Sequence, residues 1–263
     1  MNRPPAASRP RRVFITGASS GIGAALARHY SSPDCAVGLV GRSRQRLEQV
    51  ANSLPGEHGI FVADVADAAA MGRAAADFVQ RFGVPDLVIA NAGVSAGTLT
   101  EHAEDLAAFR RIIETNLTGM VLTFQPFLGA MRARGSGTLA GIASVAGIRG
   151  LPGAGAYSAS KAAAISYLES LRVELHGSGV RVVTLCPGYI ATPMTAVNTY
   201  PMPFLLPVDA AARRLARAID AGRSYAVVPW QMAIVAKVLR LLPNFAYDAL
   251  FARAGRKPRG LGL

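Results

Sequence analysis

The stretch Val13-Phe14-Ile15-Thr16-Gly17-Ala18-Ser19-Ser20-Gly21-Ile22-Gly23 decides the fold. Its β-branched and aromatic start reads as a buried strand, its glycine-rich middle as a tight turn, and residues 24–30 as the helix that follows. A strand, a glycine turn and a helix in that order form a dinucleotide-binding unit. The turn lets backbone approach a pyrophosphate, and the helix N-terminus holds its charge. The glycine spacing is Gly-x-x-x-Gly-x-Gly, so the general Gly-x-Gly-x-x-Gly fingerprint is met only in part.

Working outward, strand and helix signals alternate along the chain. Strands are predicted at 35–40, 60–63, 87–90, 138–143, 180–185 and 225–228. Helices are predicted at 43–53, 68–82, about 105–134, and around Tyr157 and Lys161. Helical crossovers between buried apolar strands predict a doubly wound parallel sheet of Rossmann type, an α/β fold in one domain over residues 12–229. Such sheets bind ligands outside the carboxyl ends of their strands. Asp64 and Val65 follow the third strand, Asn91-Ala92-Gly93 the fourth, Ser144 the fifth, and Pro187-Gly188 the sixth. Each alone is an ordinary turn residue. Their joint placement on one edge marks a site.

Ser144 is followed thirteen positions later by Tyr157-Ser158-Ala159-Ser160-Lys161. Residues four apart share a helix face, so the Lys161 ammonium is expected under the Tyr157 ring. A cation there would lower the phenol from its free value near ~10 and make a poised proton donor, with Ser144 as a second hydroxyl.

With these motifs together, the chain resembles the short-chain dehydrogenase/reductase family over about residues 12–230. Residues 16–23 match its TGxxxGxG turn, Asn91-Ala92-Gly93 its NAG motif, Tyr157 and Lys161 its YxxxK, and Pro187-Gly188 its PG turn. The resemblance implies hydride transfer between a nicotinamide cofactor and a carbonyl or alcohol, with Asn116, Ser144, Tyr157 and Lys161 as the catalytic set. It assigns the cofactor to Gly17, Ser19, Ser20, Gly21, Ile22 and Gly23, to Arg42, Asp64, Val65, Asn91, Ala92 and Gly93, and to Pro187, Gly188, Ile190 and Thr192. Tyr157 and Lys161 also touch it. Asp64 would hold the adenine, and Asn116 would bend its helix and hold a water leading protons to Lys161. No metal is expected, and the four scattered histidines offer no zinc spacing.

An NAD enzyme places an acid at the end of the second strand. Here Gly41 stands there, followed by Arg42, with Arg44 and Arg46 nearby. A guanidinium suits a 2′-phosphate, so NADP(H) is expected rather than NAD(H). Residues 189–207, the expected lid, hold Met194, Tyr200, Met202, Phe204, Leu205 and Leu206 and no charge, which fits an apolar carbonyl or alcohol substrate. Arg149 is read either as a contact for an anionic group or as an exposed loop residue. The alternative from another class is a catalytically silent dinucleotide-binding regulatory or scaffold protein on the same fold.

Hydrophobic residues make up 51% of the 263 and charged residues 17%, which excludes a disordered chain. The formal charge of +12 comes mostly from arginine. No basic run is interleaved with aromatics, so no nucleic acid is expected. Residues 1–11 read as a disordered basic leader without an apolar signal region, and a cytoplasmic location follows. Residues 230–263 read as an apolar and basic helical extension: a helix from Gln231 carries Met232, Val235, Val238, Leu239 and Leu242 and is ended by Pro243, and a second apolar segment spans 245–251. It is too short to span a bilayer, so it lies on an anionic membrane, packs on a partner subunit or covers the substrate cleft. The resemblance implies a homodimer or homotetramer.

Overall fold

The structure is a computed structural model describing residues 11–260. The expected leader lies outside the described residues except for Arg11, whose backbone N–H donates to Asp86 at 3.1 Å and so belongs to the folded body. Residues 261–263 of the expected extension also lie outside.

In chain order the elements are β1 (Arg12–Thr16), α1 (Gly21–Tyr30), β2 (Ala36–Gly41), α2 (Arg44–Ala51), β3 (His58–Val62), α3 (Ala68–Phe82), β4 (Leu87–Ala90), α4 (Asp105–Ile113), α5 (Gly119–Arg134), β5 (Gly137–Ile142) and α6 (Gly155–Glu174). Then come β6 (Val180–Pro187), β7 (Ile190–Ala191), α7 (Pro193–Ala196), β8 (Leu206–Pro207), α8 (Val208–Asp220), β9 (Tyr225–Val228), α9 (Trp230–Leu241) and α10 (Asn244–Phe251). Seven strands form one sheet in the order β3-β2-β1-β4-β5-β6-β9, every neighbour parallel. This is the Rossmann-type α/β fold. Every residue of β2 and β4 is buried, because helices cover both faces and leave no reason for polar alternation. One face packs under α1, α2 and α8, with Leu26, Leu47, Leu215 and Ile219 fully or nearly buried. The other packs under α3, α5 and α6 around Phe14, whose ring lies 5.2 Å from Phe78 and 4.8 Å from Phe127.

Three features depart from the sequence reading. The helix expected over 105–134 is interrupted by a π-helical turn, Glu114–Thr118, with Asn116 at its centre. Residues 189–207 hold the short β7–β8 pair and α7, whose Thr192 and Thr195 close a reciprocal capping box. Helix α8 was not expected at all. Its buried face is Ala211, Ala212, Leu215, Ala216, Ala218 and Ile219, mostly alanine, and arginines at 213, 214 and 217 face out. Alanine contributes little apolar contrast, so the period is present in the sequence but faint.

The C-terminal helices pack on the carboxyl edge of the sheet. Met232 and Ala236 of α9 are buried against the body, while Trp230, Ile234, Val238 and Leu241 are exposed on the opposite side. The apolar face expected for this helix is therefore split, with Val238 turned outward. Arg149 fastens the pair: its guanidinium donates to the carbonyls of Leu239 and Leu242, the latter at 2.6 Å, and stacks 3.9 Å from the Tyr247 ring centroid. Beyond α10 the chain turns back to the loop after β4, where Gly97 N–H donates to the Pro258 carbonyl at 2.8 Å. A Cβ at Gly97 would stand 2.2 Å from the Lys257 carbonyl, so only glycine admits this crossing.

Candidate active site

The strand ends converge on one cleft. It is lined by Gly17, Ser19, Ser20, Gly21 and Ile22 after β1, by Gly41, Arg42 and Arg46 after β2, and by Asp64 and Val65 after β3. Asn91, Ala92 and Gly93 line it after β4, Ser144 after β5, Tyr157 and Lys161 from α6, and Pro187, Gly188, Ile190 and Thr192 after β6. Gly23 and Asn116 do not line it; they stand one layer behind. A Cβ at Gly23 would meet the Gly17 carbonyl at 2.2 Å, so this glycine is there to let α1 close on the turn. Asn91 laces the same turn, its amide donating to the carbonyls of Thr16 and Gly17 at 3.1 Å each. Its side chain is thereby committed to the protein.

Asn116 is fully buried. Its side chain accepts from Val94 N–H at 2.8 Å and donates to Val94 O at 3.0 Å and Ser160 Oγ at 2.9 Å. The expected bend is present as the π turn, while the amide bonds outside its own helix and fastens the loop after β4 to α6.

Ser144 begins a single 3₁₀ turn, Val145–Gly147, and its Oγ accepts from Ala146 N–H at 3.1 Å. The serine hydroxyl also lies 3.5 Å from the Pro187 carbonyl, a weak acceptor at that distance. Lys161 is 3% exposed and donates to the Ile142 carbonyl at 2.7 Å. Its ammonium lies 5.9 Å from the Tyr157 ring centroid, on the expected side. The electrostatics differ from expectation. Burial holds the Tyr157 hydroxyl above its ordinary value; the Ser144 hydrogen bond opposes this and Cys186 adds to it. Burial also pushes Lys161 down to about 8, with buried Cys186 partly opposing. Burial thus dominates at both groups and favours the neutral form of each.

At the adenine end, Asp64 accepts from Ala66 N–H at 3.0 Å and pairs with Arg111. Burial would raise its carboxyl, but Ala66, Arg111 and Arg42 together hold it low. Arg111 and Arg46 line the cleft and were not assigned to it from sequence. Arg111 carries no local motif and reaches the site because α4 packs against α6.

A second cavity, of about 370 Å³, adjoins the first. The seams are Ser144 with Val145 and Gly188 with Tyr189, each pair having one member on either side. Its walls are mainly apolar: Ile148, Leu151, Tyr189, Tyr200, Met232, Val235, Leu239 and Phe251. Tyr200 is pushed up to about 12, first by burial, then by Tyr189 and by Tyr157, which puts this wall within electrostatic reach of the site.

The sequence profile described as short chain dehydrogenase matches residues 11–201. This chain belongs to the short-chain dehydrogenase family. An oxidoreductase of Myxococcus xanthus is 38% identical over 249 residues, covering 92% of this chain and 97% of that protein. The cis-4-hydroxycyclohexanecarboxylate dehydrogenase of Sinomonas cyclohexanicum is 38% identical over 214 residues, 79% of this chain and 81% of that one. Among solved structures, levodione reductase superposes with a TM-score of 0.77 at 27% identity, covering 85% of this chain and 98% of its own. As a short-chain dehydrogenase the protein is an oxidoreductase of hydroxyl or carbonyl groups that uses an NAD(P) dinucleotide.

The cleft of this dehydrogenase fits that cofactor. Helix α1 opens without a side-chain cap, Ser20 making none, and no acid lies in its first turn, so its free N–H groups and positive end face the cleft. Arg42 and Arg46 add positive charge on the β2 side.

Proposed function

We propose that the protein is an NADPH-dependent reductase of apolar carbonyl compounds, working in reverse on the corresponding alcohols. One observation carries the reading: the Ser144 and Tyr157 hydroxyls lie where a cationic dinucleotide cleft adjoins an apolar cavity. When bound, the nicotinamide supplies the hydride to the carbonyl carbon. Tyr157 gives its proton to the carbonyl oxygen, and its raised pKa keeps that proton on the phenol until the oxygen becomes basic. Ser144, which accepts from Ala146 N–H through one of its two lone pairs, donates to the same oxygen and stabilises the charge that develops there. Lys161, with one of three protons given to Ile142, has two left for the nicotinamide ribose. Asn116 positions α6 against the cofactor loop. Arg42, with Arg46, receives the 2′-phosphate, and Asp64 holds the adenine.

The test is a panel of aldehydes, cyclic ketones and 3-keto acyl compounds, each measured with NADPH and with NADH. Turnover of at least one apolar carbonyl with higher kcat/KM for NADPH is expected. A preference for NADH would remove the role given to Arg42, and no turnover of any carbonyl would return the protein to cofactor binding without reduction.

We also propose that this reductase works at an anionic membrane surface inside the cell. Trp230, Ile234, Val238 and Leu241 form an exposed apolar stripe at helical spacing, Lys237 and Arg240 stand beside it, and α9 contains no acid. That combination complements lipid headgroups, and among the described residues no helix is long and apolar enough to cross a membrane. A homodimer or homotetramer seated on this stripe would bring its cations against their own copies.

A further inference from the structure

Lys257 is a basic residue with an unusual setting. It is 8% exposed, it lines the apolar cavity, and its ammonium has one hydrogen-bond partner among the described residues, the Met194 carbonyl at 2.9 Å. Three donors meet one acceptor, and no described carboxylate pairs with it. Its neighbour on the same tail, Arg259, is by contrast paired with Glu104 and Asp105. Burial holds the lysine below its usual range, as expected of a cation that has lost water without gaining a counter-charge. Arg149, the other cation on this wall, has its donors committed to Leu239, Leu242 and Asn244. Arg149 likewise meets no described carboxylate, but these neutral oxygens occupy three of its donors, whereas Lys257 spends only one of its three, so Lys257 is the cation on this mainly apolar wall with most of its donors free.

We propose that the cavity selects carbonyl compounds bearing a carboxylate remote from the reacting group, and that Lys257 receives that carboxylate. The inference rests on the reductase reading and narrows its substrate to apolar keto acids and the corresponding hydroxy acids. The apolar walls hold the carbon skeleton, Ser144 and Tyr157 take the carbonyl end, and the two free donors of Lys257 match the two oxygens of one carboxylate. Lys257 is a binding and positioning residue, since the proton and hydride steps pass through other groups.

The experiment titrates the full-length protein, with NADP⁺ present, by calorimetry against cyclohexanecarboxylate and cyclohexanecarboxamide. Neither probe has a ketone, so the readout is independent of turnover. The carboxylate is expected to bind roughly tenfold more tightly or better, the scale of one charge-assisted hydrogen bond. Lys257→Gln keeps a donor for Met194 but loses the charge, and should bring the two probes to equal affinity; Lys257→Arg should restore the preference. Equal binding of both probes by the parent, binding of neither in the millimolar range, or a preference that survives in Lys257→Gln would each overturn the proposal. Carboxylate selectivity without turnover of any keto acid supports the anion site and counts against the reductase reading. Turnover of neutral ketones without that selectivity does the reverse.

Discussion

Tyr157 has to keep a proton in the ground state and release it as the carbonyl oxygen becomes basic. Burial supplies the first requirement and the Ser144 hydrogen bond opposes it. Tyr157→Phe should leave NADPH affinity within about twofold and cut kcat by roughly 10² to 10⁴, because only the transferable proton is lost. Activity within twofold of the parent would remove the acid role. Lys161 gives a pH prediction. Its folded value of about 8 lies below the 10.5 of the unfolded chain. Below pH 8 both states are protonated and the fold bears the whole cost of the buried cation. Between the two values the unfolded chain holds more protons, so stability rises with pH. Urea unfolding near pH ~7 and pH ~10 should show the parent gaining up to about 3 kcal/mol relative to Lys161→Met, and a flat difference would contradict the assignment. The positions of both residues followed from four-residue helical spacing. Their ionisation did not, because it depends on how deeply the fold buries them, and no local pattern records that.

The break between α4 and α5 shows what a polar residue inside a helix can do. Asn116 sits in the π turn because its amide bonds outside its own helix, to both backbone groups of Val94 and to Ser160. Asn116→Ala leaves those groups without partners and should lower unfolding stability by about 1–3 kcal/mol, measured by urea titration at neutral pH. A loss under about 0.5 kcal/mol would mean that the loop holds its shape without the amide. Most elements were legible: α3, β4 and β9 fall at the residues their patterns indicate, since each is a continuous run with clear ends. The π turn was not, because it is a single five-residue insertion inside a continuous helical run and no local residue type marks it. Helix α8 was missed for its alanines. The β7–β8 pair was missed because two-residue strands have no periodicity to read.

Across the whole molecule, the inner side of α9 walls the cavity and its outer side is exposed. Full-length protein should sediment with vesicles rich in phosphatidylglycerol, and less so in high salt, which screens Lys237 and Arg240. Trp230→Ser with Ile234→Ser should release it to the supernatant while leaving the inner wall intact. Equal recovery of parent and variant, with a parent mass of two or four chains that falls to one in the variant, would assign the stripe to a partner subunit instead. The cofactor cleft could be read from sequence because each strand end carries its own motif. The cavity could not, because its far wall is tail packed against loops more than fifty residues away, as where Tyr200 meets Gly255 and Gly97 meets Pro258. That crossing has a temporal consequence. Every residue lining the dinucleotide cleft precedes residue 196, while the cavity needs side chains up to residue 257. During translation every residue that lines the nucleotide cleft therefore emerges while the neighbouring apolar chamber is still some sixty codons from completion. A ribosome stalled in that interval would present the half-walled hollow, with its apolar lining, to chaperones.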